Sequence, residues 1–281
     1  MMLVIDWEDY AVGDHRITCP CCGRGKRDKT AGLTIEADGK GVLHCFRCGQ
    51  VETYRPKSGS QVRRNATIIP QQPASSKRTV LSDYGLELWE KCQPISGVAK
   101  SYLESRRCVT PPVDGDLRWH PALKHGITGY VGPALVGLIT DVHTGKPLSL
   151  HRTWITSTGK VGHLGHQARM VLSNHATVNG VIRLWPDDMV SLGLGIGEGI
   201  ETCLSLAWGF TPVWATVDAG HLAKFPVLDG IETLLIARDR DPAGEKASKE
   251  CADRWFTAGK RVVITTQAAN DLNDVLLQEA A

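Results

Sequence analysis

Three carboxylates in the C-terminal third of the sequence have the residue types and spacing of a divalent-cation site. Glu198 follows the apolar run LGLGIG, and Asp239 and Asp241 follow the apolar run ETLLIA. In an extended backbone, residues i and i+2 project to the same side, so the two aspartates can converge. Neighbouring carboxylates repel one another unless cations lie between them, and Mg²⁺ and Mn²⁺ prefer oxygen ligands. The pattern predicts a Mg²⁺ or Mn²⁺ site suited to phosphoryl or nucleotidyl transfer.

Asp241 also has a structural interpretation. It immediately precedes Pro242, and Asp before a proline in the first turn is a favourable N-cap of a helix. Asp241 could therefore cap a helix, bind a cation or do both. The flanking Arg238 and Arg240 could brace the carboxylates or face outward toward nucleic acid, and the sequence leaves both possibilities open.

A second constellation lies near the N-terminus. Four of the nine cysteines form two C-x2-C pairs with 22 residues between the pairs: Cys19, Cys22, Cys45 and Cys48. Such pairs at the two ends of a β-hairpin predict one tetrahedral Zn²⁺ site, which is structural because protein ligands fill every position. Cys21 in place of Cys22, and His44 in place of a cysteine, are the alternatives.

The charge distribution suggests that the two constellations meet different partners. Residues 1–110 carry five more basic than acidic side chains, whereas residues 191–281 carry five more acidic than basic ones. A basic platform around the cysteines, with aromatic Phe46 beside it, could contact single-stranded nucleic acid. Its members are Arg24, Lys26, Arg27, Lys29, Lys40 and Arg47. The alternative for these residues is a solvated face that keeps a small module soluble.

The elements that must position these residues change along the chain. Two short strands joined by ADGK predict a hairpin between the cysteine pairs, and residues 82–107 favour two helices. The runs ALVGLITD and LSLHRTWIT favour a strand pair, and STGKVGHLGHQARM favours a loop. From residue 191, apolar runs alternate with helical patterns, which predicts βαβ units and a largely parallel sheet. The predicted domains are a zinc ribbon at 1–51, a flexible basic linker at 52–80, a mixed strand and helix subdomain at 81–190 and an α/β domain at 191–281.

The motifs resemble a known family. The segments GIGEGIETCLSL, LLIARDRDPAGEKAS and NDLNDVLL resemble the TOPRIM domain shared by bacterial and phage primases, type IA and type II topoisomerases and related nucleases. With CPCCG and HCFRCG ahead of them, the whole chain except the linker resembles the primase part of phage and plasmid primases and primase-helicases. The resemblance implies an α/β TOPRIM catalytic domain with a largely parallel sheet flanked by helices, preceded by the mixed subdomain and the ribbon.

The resemblance also implies roles for individual residues. Glu198 matches the family's general acid or base or metal ligand, and Asp239 and Asp241 match its metal-binding pair. The four cysteines match zinc ligands used in template recognition. Residues of the terminal motif are accessory: Asp271, Asn273 and Asp274. Basic residues in the region that contacts nucleotide or template are Lys146, His151, Arg152, Arg169 and Arg183.

The hypothesis from the sequence is a DNA primase that joins NTPs into a short RNA on a single-stranded DNA template, with one structural Zn²⁺ and catalytic Mg²⁺ or Mn²⁺. The alternatives are a non-catalytic recombination-mediator-like DNA-binding protein and a TOPRIM nuclease. Strand passage is disfavoured because the tyrosines all precede the TOPRIM stretch.

The sequence also sets expectations for partners and location. The motif G-x-x-x-x-G-K-[ST] is absent, so we expect any replicative helicase to be a separate partner. No apolar run reaches bilayer length and the N-terminus turns acidic at once, so we expect no membrane contact and a cytoplasmic location in a bacterial host cell.

Overall fold

The computed structural model of the chain describes residues 5–23, 28–45, 47–56 and 77–278. The chain divides into two units, Met1–Ala74 and Ser75–Ala281. Most of the predicted linker lies outside the described residues, and so do four members of the predicted nucleic-acid platform: Arg24, Lys26, Arg27 and Phe46. No helix among the described residues is long and apolar enough to cross a membrane.

The first unit is an antiparallel sheet in the order β1-β2-β3-β4. Its strands are β1 (Gly13–Ile17), β2 (Ala31–Ile35), β3 (Gly41–Cys45) and β4 (Val51–Tyr54). The predicted hairpin is confirmed, because β2 and β3 pair and the Glu36 N–H donates to the Lys40 carbonyl at 2.7 Å across the ADGK turn. Side-chain alternation along β3 buries Cys45 and exposes His44. Strand β4 pairs with β3, so the sheet continues beyond the predicted ribbon boundary at residue 51.

The first half of the second unit contains the two predicted helices and the predicted strand pair. Its elements are α1 (Asp83–Glu90), α2 (Gly97–Ser105), β5 (Leu117–Lys124), β6 (Val131–Asp141), β7 (Pro147–Trp154), β8 (Arg169–Val171) and β9 (Gly180–Val181). The antiparallel sheet runs β5-β6-β7-β8, with β9 paired to β6. The loop prediction was wrong at its end, since residues 169–171 form β8 and pair with β7.

The second half is the predicted α/β domain. Its elements are β10 (Gly193–Gly197), α3 (Ile200–Leu206), β11 (Val213–Ala215), α4 (Ala219–Lys224), β12 (Thr233–Ala237), α5 (Pro242–Thr257), β13 (Arg261–Ile264) and α6 (Leu272–Gln278). The strands are parallel in the order β11-β10-β12-β13. This confirms the predicted fold class. Helix α4 was not predicted, because its short segment AGHLAK carries too little helical periodicity to be recognised.

Large apolar residues and glycines alternate along β10. Helix α5 packs with the apolar residues, and helix α3 packs against the glycines. Leu194 and Ile196 share a core cluster with Trp255 of α5. The alternating glycines admit α3: a Cβ added at Gly197 would lie 3.0 Å from the Cys203 sulfur. The glycines of LGLGIG therefore bring α3, and the residues at its start, close to the end of the strand.

Candidate functional site

Each strand of the parallel sheet is followed, one to seven residues later, by an acidic residue. In order across the sheet these are Asp218 after β11, Glu198 after β10, Asp239 after β12 and Asp271 after β13. Because the strands are parallel, their carboxyl ends meet at one edge, where ligands of such sheets collect. Asp218 was missed by the sequence analysis, although it follows the apolar run PVWATV and could have been found by the same rule.

The acidic residues act on one another electrostatically. Burial, together with the charges of Asp239, Asp241 and Asp218, raises the pKa of Glu198 to about 7. Burial and the charges of Asp271 and Asp241 raise the pKa of Asp239 to about 6. Such mutual effects require proximity. The structure therefore brings the three predicted acids together, with Asp218 and Asp271 beside them; we call these five residues the acidic cluster.

Two oxygens of the acidic cluster are suited to a metal ion. Glu198 Oε1 and Asp239 Oδ1 are buried, and neither has a hydrogen-bond partner among the residues that the structure describes. Buried carboxylate oxygens are nearly always satisfied by a donor or a cation. Mg²⁺ and Mn²⁺ prefer oxygen ligands, so the chemistry of these two donors fits the predicted metal.

Asp241 performs the capping role that was one of its two interpretations. Its Oδ1 accepts a hydrogen bond from the Gly244 N–H at 2.7 Å and begins helix α5. Gly244 is needed here because a Cβ would lie 2.5 Å from the Asp239 carbonyl oxygen. The cap uses one carboxylate oxygen of Asp241, and the charge still acts on Glu198. Capping thus fixes the position of this acid beside the other two.

The two arginines that alternate with Asp239 and Asp241 tie the loop to the segment after β13. The Arg240 N–H donates to the Asn270 carbonyl at 2.6 Å, and its guanidinium donates to the Ala268 carbonyl. The Arg238 N–H donates to Thr265 Oγ1 at 3.1 Å. For Arg240, the structure therefore favours bracing of the loop over an outward role.

The terminal motif joins α6 to the site. Asp271 Oδ1 accepts from the Asp274 N–H at 2.8 Å where α6 begins, and its charge acts on Asp239. Asn273 is buried and donates to the Arg106 carbonyl at 2.5 Å and to Ser205 Oγ of α3 at 3.0 Å. Asn273 is thus a packing anchor, while Asp274 contributes its backbone N–H to the cap.

Two cations, Lys160 and Arg169, gather around Glu201 near these acids, and the sequence did not predict this arrangement. We call Lys160, Arg169 and Glu201 the cationic cluster. Glu201 is buried on α3, and its Oε1 accepts from the Tyr102 hydroxyl at 2.7 Å and lies 3.0 Å from Lys160 Nζ. Its Oε2 lies 3.3 Å from Arg169 Nη2. Burial alone would raise the pKa of Glu201, but Arg169 and Lys160 hold it well below its usual range. Arg169 also acts on Asp239, whose pKa it lowers against the effect of burial.

Of the five predicted nucleotide or template residues, two lie at this cationic cluster. Arg169 contacts Glu201 directly. His151 is half-buried on β7, where desolvation lowers its pKa to about 4 against the opposing charge of Glu201. These two residues come from neighbouring strands, since His151 is paired with Val171 of β8. Arg169 acts on Asp239 electrostatically, so the structure places Arg169, with His151 on the neighbouring strand, beside the acidic cluster.

The other three predicted basic residues lie elsewhere. Arg152 follows His151 on β7 and points to the opposite face, where its guanidinium donates to the Val171 carbonyl and lies 5.5 Å from the Trp154 ring centroid. Lys146 is exposed in the turn between β6 and β7. Arg183 is buried and pairs with Asp187 at 2.6 Å, and it also donates to the Val142 carbonyl at 3.0 Å. The structure does not bring these three to the acidic cluster.

The four predicted cysteines of the first unit converge. All four Sγ atoms lie within 4.8 Å of one another, with Cys19 and Cys48 at 3.7 Å and Cys22 and Cys45 at 3.6 Å. A zinc ion with four thiolates at about 2.3 Å gives tetrahedral edges of about 3.8 Å, so the spacing fits one Zn²⁺ site. Cys21 is exposed and lies outside the group.

Backbone and side-chain contacts hold the second cysteine pair in place. Hydrogen bonds from the backbone N–H groups of Cys48 and Arg47 lower the pKa of Cys45 to about 6, and the Arg47 N–H lies 3.4 Å from Cys45 Sγ. The Arg47 guanidinium pairs with Asp28 at 2.7 Å and donates to the Cys22 carbonyl at 3.2 Å. Arg47, predicted as part of a nucleic-acid platform, therefore braces the metal-binding pairs.

The raised pKa of Glu198 predicts that this acid destabilises the protein when no divalent cation is bound. Its folded pKa of about 7 exceeds the ordinary 4.5, so stability falls as the pH rises from about 4.5 to 7 and stays low above that. Glu198→Gln removes the penalty. After allowance for solvent screening at this partly buried site, we expect a gain of about 1–2 kcal/mol at pH 8.

Thermal unfolding of the full chain in Mg²⁺-free and Mn²⁺-free buffer would measure this gain. The buffer contains no chelator, so that zinc stays bound. The matched control is Glu90→Gln, an exposed glutamate of α1, which should unfold at the wild-type temperature. Equal melting temperatures for the wild type and Glu198→Gln at pH 8, or a gain that persists at pH 4, would contradict the predicted origin of the effect.

Comparison with known families supports the interpretation of the C-terminal segment. Residues 193–281 match the family model of the Toprim domain, and residues 81–184 match a domain of unknown function, DUF7146. The chain therefore carries a Toprim domain behind its middle subdomain, and the resemblance of the C-terminal motifs to TOPRIM is confirmed. No curated protein sequence matches the chain significantly.

Several solved structures are similar to this chain in fold. The primase fragment of the bacteriophage T7 primase-helicase protein is 16% identical, with 94% of this chain and 95% of that chain covered and a TM-score of 0.45. The Aquifex aeolicus primase, with zinc-binding and RNA polymerase domains, is 13% identical over 98% and 80% of the two chains, with a TM-score of 0.46. A DNA primase domain from Pseudomonas aeruginosa is 15% identical over 71% and 75%, with a TM-score of 0.44.

Proposed function

We propose that this protein is a DNA primase, which synthesises short RNA primers on single-stranded DNA by metal-dependent nucleotidyl transfer in phage or plasmid replication. The observation that carries the proposal is the pair of buried, unpartnered oxygens on Glu198 and Asp239. They lie at the carboxyl edge of a Toprim sheet, next to a cluster of cations. An acidic cluster for metals beside cations for phosphates is the combination that phosphoryl transfer requires.

The acidic cluster would hold the metal. Glu198, Asp239 and Asp241 would supply carboxylate oxygens, with Asp241 fixed by its cap on α5. When bound, Mg²⁺ or Mn²⁺ would activate a primer 3′-hydroxyl and stabilise the negative charge of the pyrophosphate leaving group. Arg240 braces the loop that carries Asp239, and Gly244 packs closely against the Asp239 carbonyl. The carboxylates are therefore held at fixed positions before substrate arrives.

The cationic cluster would orient the triphosphate. Arg169 and Lys160 both pair with Glu201, and Arg169 lies near Asp239. The Arg169 side chain is 47% exposed, so its remaining N–H donors can reach a phosphate. A guanidinium offers several donors in a plane and suits phosphate oxygens. Of the other predicted basic residues, exposed Lys146 remains a candidate for template contact on the phosphate backbone.

The first unit would select the template. One Zn²⁺ held by the four cysteines would stiffen the small sheet, and exposed Lys29 and Lys40 would contact the DNA backbone. The partners on this proposal are single-stranded DNA, NTPs and a separate replicative helicase, in the cytoplasm of a bacterial host. The charge excess of residues 1–110 agrees with a polyanionic partner.

Primer synthesis on short single-stranded templates tests the proposal. The full chain, loaded with zinc, is incubated with labelled NTPs and either Mg²⁺ or Mn²⁺ on a set of templates, and the products are sequenced. We expect short RNA products whose start sites share a template motif. RNA products that depend on a divalent cation and on template sequence would support the proposal and report the start site at once.

The same reactions distinguish the alternatives. Metal-dependent shortening of a labelled template without RNA synthesis would indicate a nuclease. Retention of the template without turnover under either metal would indicate a non-catalytic DNA-binding protein of the recombination-mediator kind. Either result would overturn the primase proposal, while the wild-type Mn²⁺ affinity would show separately whether the acidic cluster binds metal.

A further inference from the structure

Glu201 is a buried carboxylate that the proposed chemistry leaves without a part. Its side chain is only 8% exposed, yet it contacts three polar groups: the Tyr102 hydroxyl at 2.7 Å, Lys160 Nζ at 3.0 Å and Arg169 Nη2 at 3.3 Å. These partners come from α2, from the segment before β8 and from β8 itself. A single carboxylate therefore gathers two cations from separate parts of the chain.

The location of these cations creates a conflict. Arg169 lies close enough to Asp239 to act on it electrostatically, and its side chain is 47% exposed, so apart from Glu201 little packing confines it. Glu198 and Asp239 each present a buried oxygen with no hydrogen-bond partner in the described structure. An unanchored guanidinium would pair with those oxygens, because opposite charges attract strongly where water is excluded. Such a pair would compete with a divalent cation for the same oxygens.

The position and contacts of Glu201 prevent Arg169 from pairing with Glu198 or Asp239. Glu201 lies on α3, which begins directly after Glu198, so the helix fixes the separation between the two carboxylates. The Tyr102 hydroxyl donates to Oε1 and holds the carboxylate in one orientation. In that orientation Oε1 accepts Lys160 and Oε2 accepts Arg169, so each oxygen has a cationic partner.

We propose that Glu201 is a positioning residue that holds Arg169 and Lys160 away from the acidic cluster and thereby keeps Glu198 and Asp239 available for a divalent cation. The inference rests on the metal site of the proposed function. It gives Glu201 a part that is distinct from that of a metal ligand, since its own oxygens are occupied by Lys160 and Arg169. It also explains how Arg169 and Lys160, which would bind phosphate, can lie near Glu198 and Asp239 without forming ion pairs with them.

Mn²⁺ binding tests the inference without reference to catalysis. Electron paramagnetic resonance of the full, zinc-loaded chain reports free Mn²⁺ during a titration, for the wild type and Glu201→Gln. Glutamine keeps the size and can still accept from Tyr102, but it no longer anchors the cations. We expect the Mn²⁺ dissociation constant to rise roughly tenfold. The matched control is Glu87→Gln, an exposed carboxylate 4.0 Å from Lys91, which should bind Mn²⁺ as the wild type does.

A double variant separates the proposed cause from a general loss of structure. In Glu201→Gln with Arg169→Gln, the freed guanidinium is gone, and we expect Mn²⁺ affinity to return toward the wild-type value. A purely structural role of Glu201 predicts the opposite, because a second change at the same cluster would not restore binding. Unchanged Mn²⁺ affinity in Glu201→Gln, or no recovery in the double variant, would overturn the inference.

A second single variant covers failure of Glu201→Gln to fold, which a melting curve would reveal. Tyr102→Phe removes the hydroxyl that orients Glu201 and leaves all charges in place, and we expect a two- to threefold weaker Mn²⁺ affinity. Unchanged affinity in that variant would also overturn the inference. Absence of Mn²⁺ binding by the wild type would instead overturn the metal site of the proposed function, so the two failures are distinguishable.

Discussion

Replacement of Asp239 by asparagine is expected to reduce primer synthesis by roughly 10²- to 10³-fold. Asparagine preserves the shape of the side chain but removes the negative charge that a divalent cation needs. Metal stabilisation of the developing charge is worth several kcal/mol, and each 1.4 kcal/mol corresponds to about tenfold in rate. The charges of Asp271 and Asp241 both act on Asp239, which therefore lies near these two acids.

The measurement is the rate of primer synthesis at saturating NTP across a range of Mn²⁺ concentrations. Glu198→Gln should show a loss of similar size, because its Oε1 is the second unpartnered buried oxygen. The matched control is Asp253→Asn, an exposed aspartate of α5 that pairs with Lys249 at 2.8 Å, which should retain wild-type activity. Near wild-type synthesis by either cluster variant would show that these acids do not hold the catalytic metal.

Local patterns in the sequence were enough to find residues whose position follows from a single element. The cysteine spacing placed four thiols at the ends of a hairpin, and the structure brings them within 4.8 Å. Glu198 and Asp239 each follow an apolar strand, and parallel strands align their carboxyl ends by construction. In both cases the rule needs only a strand or hairpin and the residues next to it, which the sequence shows directly.

The cationic cluster could not be found in this way. Tyr102 and Glu201 are 99 residues apart, and Lys160 precedes Glu201 by 41 residues. Nothing in the spacing of these residues indicates that α2, β8 and α3 meet. Their contact is a product of packing between the antiparallel sheet and the Toprim half, which share a core cluster that includes Tyr102 and Cys203. Tertiary contacts of this kind are invisible to periodicity.

Strand β7 shows a second limit of sequence patterns. His151 and Arg152 are neighbours, and both were predicted to contact nucleotide or template. Side chains alternate across a strand, so only one of the two can face the acidic cluster. Most of β7 is buried on both faces, which removes the contrast between polar and apolar residues that would reveal the face. The structure resolves the choice, because His151 lies in the field of Glu201 whereas Arg152 lies near Trp154.

Removal of zinc is expected to unfold the first unit and leave the second unit folded. The core of the small sheet consists of few apolar residues, and two of the ligands, Cys19 and Cys45, belong to that core. Small domains with little buried apolar surface depend on metals or disulfides for stability. A structural Zn²⁺ contributes about 10–16 kcal/mol in zinc-finger peptides, which exceeds the whole stability of a typical small domain.

Hydrogen exchange measured by mass spectrometry would follow both units in the same sample. In Cys45→Ser, amides of β2 and β3 should lose protection completely, whereas those of β10 and β12 should exchange as in the wild type. The matched control is Cys21→Ser, which changes an exposed cysteine outside the cluster and should keep both zinc content and protection. Retained protection of β2 and β3 in zinc-free Cys45→Ser would show that the sheet is held by its apolar core rather than by metal. Conversely, loss of protection in Cys21→Ser would favour the alternative in which Cys21 is the ligand. The two serine variants thus decide between metal and core as the source of stability, and between the neighbouring cysteines as ligands.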